Sequence, residues 1–301
     1  MDMSYDNRPG SIWMDGELVP WKDANAHVLT HALHYASCVF EGERAYDGRI
    51  FKLNEHTRRL FAGAGIMDIN IPFTVDEIDA ACKLVVETQG FNDAYVRPIA
   101  YRGAEMMGVS AQNTKIHVAI AAWEWPAYFA DRMQGIRMKW AKWRRPDPAT
   151  IPCKTKAAGL YMICTLSKHA AERAGCNDAL MMDYRGYIAE ATGANIFLVI
   201  DGKIHTPTPD CFLDGITRRT VIALARMRGM DIIERHIKPE ELDDASEVFL
   251  CGTAVEVTPV REIGDRKFQP GEITRTLMED YDEEVRREVP KTLNAEKAHA
   301  A

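Results

Sequence analysis

IPCKTKAAGLYMICTLSKHAAERAGCNDALMMDYRGYIAEATGANIF, residues 151–197, holds two side chains with opposite chemistry, Lys156 and Glu190, in settings able to fix them. Apolar or small residues at 160, 163, 164, 166, 170, 171 and 174 predict a helix over about 158–174, closed by Gly175. ALMMD and YIAEATGANIFLVI then predict strands joined by a Tyr-Arg-Gly turn, with Glu190 on the second and a Gly193-Ala194-Asn195 cluster behind it. A lysine held out of water is a candidate amine nucleophile, because burial disfavours its ammonium form. A solvated surface lysine is the plainer alternative, and nothing local prefers Lys156 over Lys154.

Toward the C-terminus, KIHTPT predicts another strand, and FLDGITRRTVIALARMRG (212–229) a helix opened by Gly215 and Thr217 and closed by Gly229. A helix start preceded by glycine exposes free amides and the positive dipole end, which suits a phosphate; a simple threonine cap without ligand is the alternative. EVFLCGTAVEVTPV (247–260) predicts strand, turn, strand, bending at Gly252-Thr253-Ala254, and the tail beyond about 285 predicts a frayed end. These strands predict a sheet laid down as a meander. No G-x-G-x-x-G follows a strand, which argues against a dinucleotide fold.

Toward the N-terminus, Asp15-Gly16 and Asp47-Gly48 each predict a hairpin turn. Residues 54–67 predict a helix capped by Asn54, and 73–90 one capped by Thr74 with Glu77 three residues on. AYVRPIAYRG and KIHVAIAAWEW predict strands, so the first 125 residues read as an α+β unit. WPAYFADRMQG (125–135) shifts in composition as a linker would. His27, His31 and His34 recur at helical spacing, but no carboxylate joins them at ligand spacing, so the reading is hydrogen bonding and no metal.

The 301 residues leave room for two domains. A net charge of -7 argues mildly against a nucleic-acid partner, and the densest basic spot after the scattered arginines, RRPDP at 144–148, is too short to track phosphates. No apolar run nears the ~20 residues that span a bilayer. Seven cysteines without a C-x-x-C pair, and a polar N-terminus, predict a soluble cytoplasmic protein with reduced thiols.

HALHYASCVFEGERAYDG, EHTRRL, AYVRP, GVSA, KAAGLY, GYIAEATGANIF, LDGITR and GTAVEVTPV follow one another in this order. Together they resemble the class IV pyridoxal-phosphate aminotransferases and, within them, the bacterial branched-chain amino acid aminotransferases, over about residues 10–285. The resemblance implies an α+β protein of PLP fold type IV, the D-amino acid aminotransferase-like fold. A small N-terminal α+β domain (1–126) and a linker (127–135) would precede a larger, mainly β, cofactor-binding domain (136–301). Its cofactor would be pyridoxal 5'-phosphate. Lys156 matches the Schiff-base lysine and proton shuttle, Glu190 the carboxylate on the pyridine nitrogen, and Tyr161 the phenol on the ring oxygen. Arg59 matches a bidentate phosphate arginine, with Gly215, Ile216, Thr217 and Thr253 completing the phosphate site.

For substrate, Tyr95, Arg97, Thr253 and Ala254 resemble the groups holding carboxylates, and Phe40, Tyr35, Tyr128, Trp125 and Val109 the apolar pocket. Tyr35 and Val109 would serve a neighbouring subunit's site, which implies a homodimer or larger homo-oligomer. The implied reaction is ping-pong transamination of L-leucine, L-isoleucine and L-valine with 2-oxoglutarate. The alternatives are a D-amino acid or (R)-amine transaminase, an aminodeoxychorismate lyase, and a non-catalytic binding protein of the same fold. Glu43, Leu160 and EATGANIF depart from the pattern of relatives, where an aliphatic residue, an asparagine and E-G-x-G-E-N are common. These departures bear on substrate preference rather than on the cofactor residues.

Overall fold

The computed structural model describes residues 4–125 and 132–287. Asp15 and Gly16, both at positive φ, turn β1 (Ser11–Met14) into β2 (Glu17–Pro20), as the hairpin signal predicts. After a short helix α1 (His31–Tyr35), β3 (Cys38–Phe40) and β4 (Glu43–Tyr46) run along the same neighbour, separated by Glu41 and Gly42. Asp47-Gly48 then turns β4 into β5 (Arg49–Ile50). Helices α2 (Leu53–Ile66) and α3 (Val75–Gln89) follow, and β6 (Ala94–Arg102) and β7 (Ile116–Glu124) complete an antiparallel sheet ordered β2-β1-β7-β6-β4-β5, with β3 also on β6. The buried faces of α2 and α3, including Leu60, Ile78, Cys82 and Val85, close one side of this sheet against Val96, Val118 and Ile120.

The Thr74–Glu77 capping box is present and Gly90 ends α3 in the left-handed region, as predicted. Asn54 does not cap α2. Lys52, at φ 51°, precedes the first turn, and Asn54 lies inside the helix, donating to Asp79 and accepting from Arg58.

The second sheet contains β8 (Ile136–Trp140), β9 (Asp178–Met182), β10 (Ile188–Ala191), β11 (Asn195–Ile200), β12 (Lys203–Pro207), β13 (Ile232–Arg235), β14 (Ala245–Gly252), β15 (Glu256–Ile263) and β16 (Arg266–Lys267). Its order is β10-β9-β8-β15-β14-β11-β12-β13, and β10 also pairs with β11, which closes six strands into a ring. Ile136, Met138, Leu180, Ile196, Leu250 and Val260 belong to the apolar core among these strands.

The expected meander is only partly realised. β8 pairs parallel to β9 across helix α4 (Met162–Arg173), and β12 parallel to β13 across α5 (Ile216–Met227), because parallel neighbours need a crossover that a hairpin cannot supply. The helix expected from 158 begins as a 3-10 turn over Ala158–Tyr161, which turns Tyr161 back toward Lys156 before α4 starts. A final helix, α6 (Glu272–Arg286), absent from the sequence reading, packs Leu277, Met278, Tyr281 and Val285 with α5. Most of the linker and the tail expected beyond 285 lie outside the described residues. Among the described residues no helix is long and apolar enough to cross a membrane.

Candidate active site

One cavity gathers side chains from both halves of the chain: Arg59 from α2, Lys156 and Tyr161 from the segment before α4, Glu190 and Asn195 from the ring, and Thr253 from the β14–β15 turn. Its floor includes Gly215, Ile216 and Thr217 at the start of α5. Gly215 precedes that helix without any side-chain cap, so the first amides of a twelve-residue helix face the cavity.

Lys156 Nζ donates to Tyr161 Oη at 2.9 Å and lies 5.1 Å from the Phe40 ring centre. Burial acts to lower its pKa, but the Tyr161 phenol and the Glu41 carboxylate outweigh it, so the pKa lies above the ordinary lysine value. The expectation that desolvation alone frees the amine is therefore corrected. Its acidic neighbours favour the ammonium form.

Glu190 is 8 % exposed, and its pKa is pushed up to about 7 by burial, with Arg145 and Lys156 pulling the other way. Arg145 Nε stands 3.3 Å from one carboxylate oxygen, and Asn195 Nδ2 donates to the other at 3.3 Å. Glu190 and Asn195 are cross-strand partners, so the ring itself sets this pair.

Arg59 is already engaged within the protein. Nε and Nη2 donate to Glu41 at 2.7 and 2.8 Å, and Nη1 is buried and without a partner. Glu41 is fully buried and also takes His56 Nδ1 at 2.8 Å, so its carboxyl stays well below the usual carboxylate range despite burial. The Nε–Nη2 edge of the guanidinium is taken within the protein, while the Nη1–Nη2 end keeps hydrogens for an anion.

Next to this cavity Arg97 donates to Tyr95 Oη at 3.0 Å and stacks over Phe40 at 4.7 Å. Tyr95 lies between Trp123 and Trp125, at 5.1 and 5.0 Å. Gly42 is required there, since a Cβ would stand 2.0 Å from the Tyr95 hydroxyl. Ala254 follows Thr253 in the same turn. Tyr35 and Val109 are 46 % and 89 % exposed and do not enter this chain's cavity, while Tyr128 lies outside the described residues. His31 bonds Ser37 Oγ and the Gly108 carbonyl, and His34 the Val28 carbonyl.

Glu41, His56, Arg145 and Asn195 were not singled out from the sequence. Glu41, His56 and Asn195 stood inside quoted motifs without a stated role, and Arg145 was set aside as part of a short basic spot. Their partners are 15 to 45 residues away or across a strand pair, beyond any local pattern.

Residues 38–263 match the family model of the class IV amino-transferases. The chain is 43% identical over 288 residues to a branched-chain-amino-acid aminotransferase of Pseudomonas aeruginosa, covering 93% of this chain and 94% of that one. A branched-chain aminotransferase of the thermophilic archaeon Thermoproteus uzoniensis, solved with norvaline, superposes with a TM-score of 0.88 at 36% identity, covering 92% of this chain and 94% of that one. The branched-chain amino acid aminotransferase of Thermobaculum terrenum, solved in its PLP-bound holo-form, gives a TM-score of 0.84 at 31% identity over 92% and 94%.

Proposed function

The chain belongs to the class IV aminotransferases, among the branched-chain-amino-acid aminotransferases, and on that premise we propose that it moves amino groups between L-leucine, L-isoleucine or L-valine and 2-oxoglutarate on pyridoxal 5'-phosphate. The observation that carries this reading is one cavity holding a half-buried Lys156–Tyr161 pair, a buried acid at Glu190 and an uncapped helix start at Gly215. The unpartnered Nη1 of Arg59 in that cavity fits an anionic group such as the cofactor phosphate. In this reading residues 1–126 form a smaller unit, 127–135 a linker and 136–301 the cofactor-binding unit.

When bound, the cofactor supplies an aldehyde that condenses with amines and a ring that accepts electrons from the substrate α-carbon. Lys156 would hold the aldehyde carbon, Tyr161 the ring oxygen, Glu190 the pyridine nitrogen, and Arg59 with the start of α5 and Thr253 the phosphate. Glu190 must be ionised for this task. Arg145, by opposing the upward push of burial, favours that form near neutral pH. Once its proton is gone, Lys156 is the base that takes the substrate α-proton, a contribution of about 10²–10⁴ in rate. Tyr161 is the group placed to share the proton that Lys156 loses. Tyr95, Arg97 and the Thr253-Ala254 turn would take carboxylates, and Phe40 with Trp125 and Tyr128 the apolar side chain. Tyr35 and Val109, exposed here, would complete the site of a second copy.

Borohydride reduction of the holoenzyme, followed by peptide mass mapping, tests the assignment. A pyridoxyl adduct is expected on Lys156; an adduct on Lys154 or Lys168, or none, overturns it. Half-reactions with L-leucine, L-glutamate and D-alanine test the substrate class. Conversion by D-alanine alone would place the chain with the D-amino acid transaminases instead.

A further inference from the structure

The two walls of the proposed substrate gap belong to different sheets. Phe40, Tyr95 and Arg97 stand on β3 and β6, whereas Thr253 and Ala254 lie in the turn between β14 and β15. Something must hold the turn at a set distance from the opposite wall. Glu256, the residue that ends this turn, is in the left-handed region at φ 53°. Such a position after a three-residue loop ordinarily favours glycine, and a glutamate there costs about 1 kcal/mol or more.

The carboxylate lies among donors from the other half of the molecule. Tyr46 Oη, on β4 of the first sheet, donates to Glu256 Oε1 at 2.9 Å. Arg44, two residues earlier and 5 % exposed, brings Nη1 to 3.7 Å of the same oxygen. Arg132 approaches the other oxygen at 3.5 Å and binds Asp282 of α6 at 2.5 Å. Backbone strain at one end of the turn is thus coupled to cross-sheet contacts of a partly buried carboxylate.

Building on the transaminase reading, we propose that Glu256 is a positioning residue that sets the substrate-carboxylate turn against the first sheet through Tyr46, Arg44 and Arg132. It touches neither cofactor nor reacting carbon. Its loss therefore weakens substrate binding while leaving the chemical step intact, the pattern expected when uniform binding is removed.

Holoenzyme variants E256Q and Y46F test this in single-turnover reactions with L-leucine. Both are expected to raise the half-saturating concentration, E256Q by about tenfold, the worth of one hydrogen bond to a charged group, with little change in maximal rate. The double variant should cost little more than E256Q alone, because both act on the same Tyr46–Glu256 contact. Hydrogen exchange of the 253–256 amides should quicken in each variant. Y46F leaves the turn's own sequence untouched, so it decides the matter should E256Q fail to fold. Unchanged half-saturation in both variants, a fall confined to the maximal rate, or additive effects would overturn the proposal. If the wild type does not react with L-leucine, the branched-chain substrate reading fails, and unchanged hydrogen exchange would separately overturn the tie.

Discussion

Glu43 stands on β4 with no exposure, and neither carboxyl oxygen makes a hydrogen bond, although the Cys82 thiol faces it as a weak donor. Burial, with Glu41 and Asp79 adding like charge, pushes its pKa well above the carboxylate range. A raised acid pKa makes the folded state the better proton binder. Its contribution to stability is therefore full below the unfolded value near 4.5 and is lost as pH rises toward the folded pKa. Replacing a buried unpaired acid with an apolar residue gains about 2 kcal/mol, so E43I should raise the melting temperature by about 4–8 °C at pH 8. The gain should shrink at pH 5, and scanning calorimetry at the two pH values checks both size and sign. Glu190 has the same direction of shift but different company, since Arg145 and Lys156 oppose burial and leave it near 7. At this scale the sequence marked Lys156, Tyr161 and Glu190 through motif register. It also marked Glu43 as unusual. It did not show that Glu41 occupies the fork of Arg59, because that contact joins a strand break to the far side of a helix.

Helix α5 illustrates what an element must give up to face a ligand. A Cβ at Gly215 would come 2.3 Å from Asn195 Oδ1, and Asn195 is the residue that donates to Glu190 and to the Leu213 carbonyl. G215A therefore displaces a partner of the acid as well as crowding the helix start. Cofactor affinity of the apoprotein, followed by absorbance titration, is expected to fall about tenfold, the worth of one hydrogen bond to a charged group. Unchanged affinity would mean that Asn195 yields without moving Glu190. The elements most readable in sequence were those with local chemistry of their own: the two Asp-Gly hairpins and the capped α3. The crossovers through α4 and α5 were misread as a meander because strand partnership is settled by non-local pairing. In α6 the apolar stripe of Leu277, Met278, Tyr281 and Val285 is interrupted by charged residues on the outer face, which hid the helix.

For the molecule as a whole, Val28, Leu33, Val109 and Met162 are each at least 65 % exposed. They lie near one another: His31 of α1 bonds the Gly108 carbonyl, and Ala36, just past α1, lies against Gly159, three residues before Met162. An apolar region of this kind marks an interaction surface, and a second copy is the partner we propose. Sedimentation velocity on V109D and L33D should show a shift toward monomer relative to wild type. A wild type that is already monomeric would exclude this partner. The sequence motifs had pointed to Tyr35 and Val109 as shared residues, but only their exposure in the folded chain shows that they do not enter their own cavity.

Ring closure also orders events in time. Glu190 meets Asn195 only five positions along the chain, but β8 joins the same ring by pairing Ile136–Met138 with Val260–Ile263 at its far end. Contacts so distant in sequence are slow to form. A nascent chain that has emerged only as far as β14 carries Arg59, Lys156, Tyr161 and Glu190, but not β15, which links β14 to β8 in the ring. During synthesis these residues are all present before the ring that carries Glu190 and Asn195 can close.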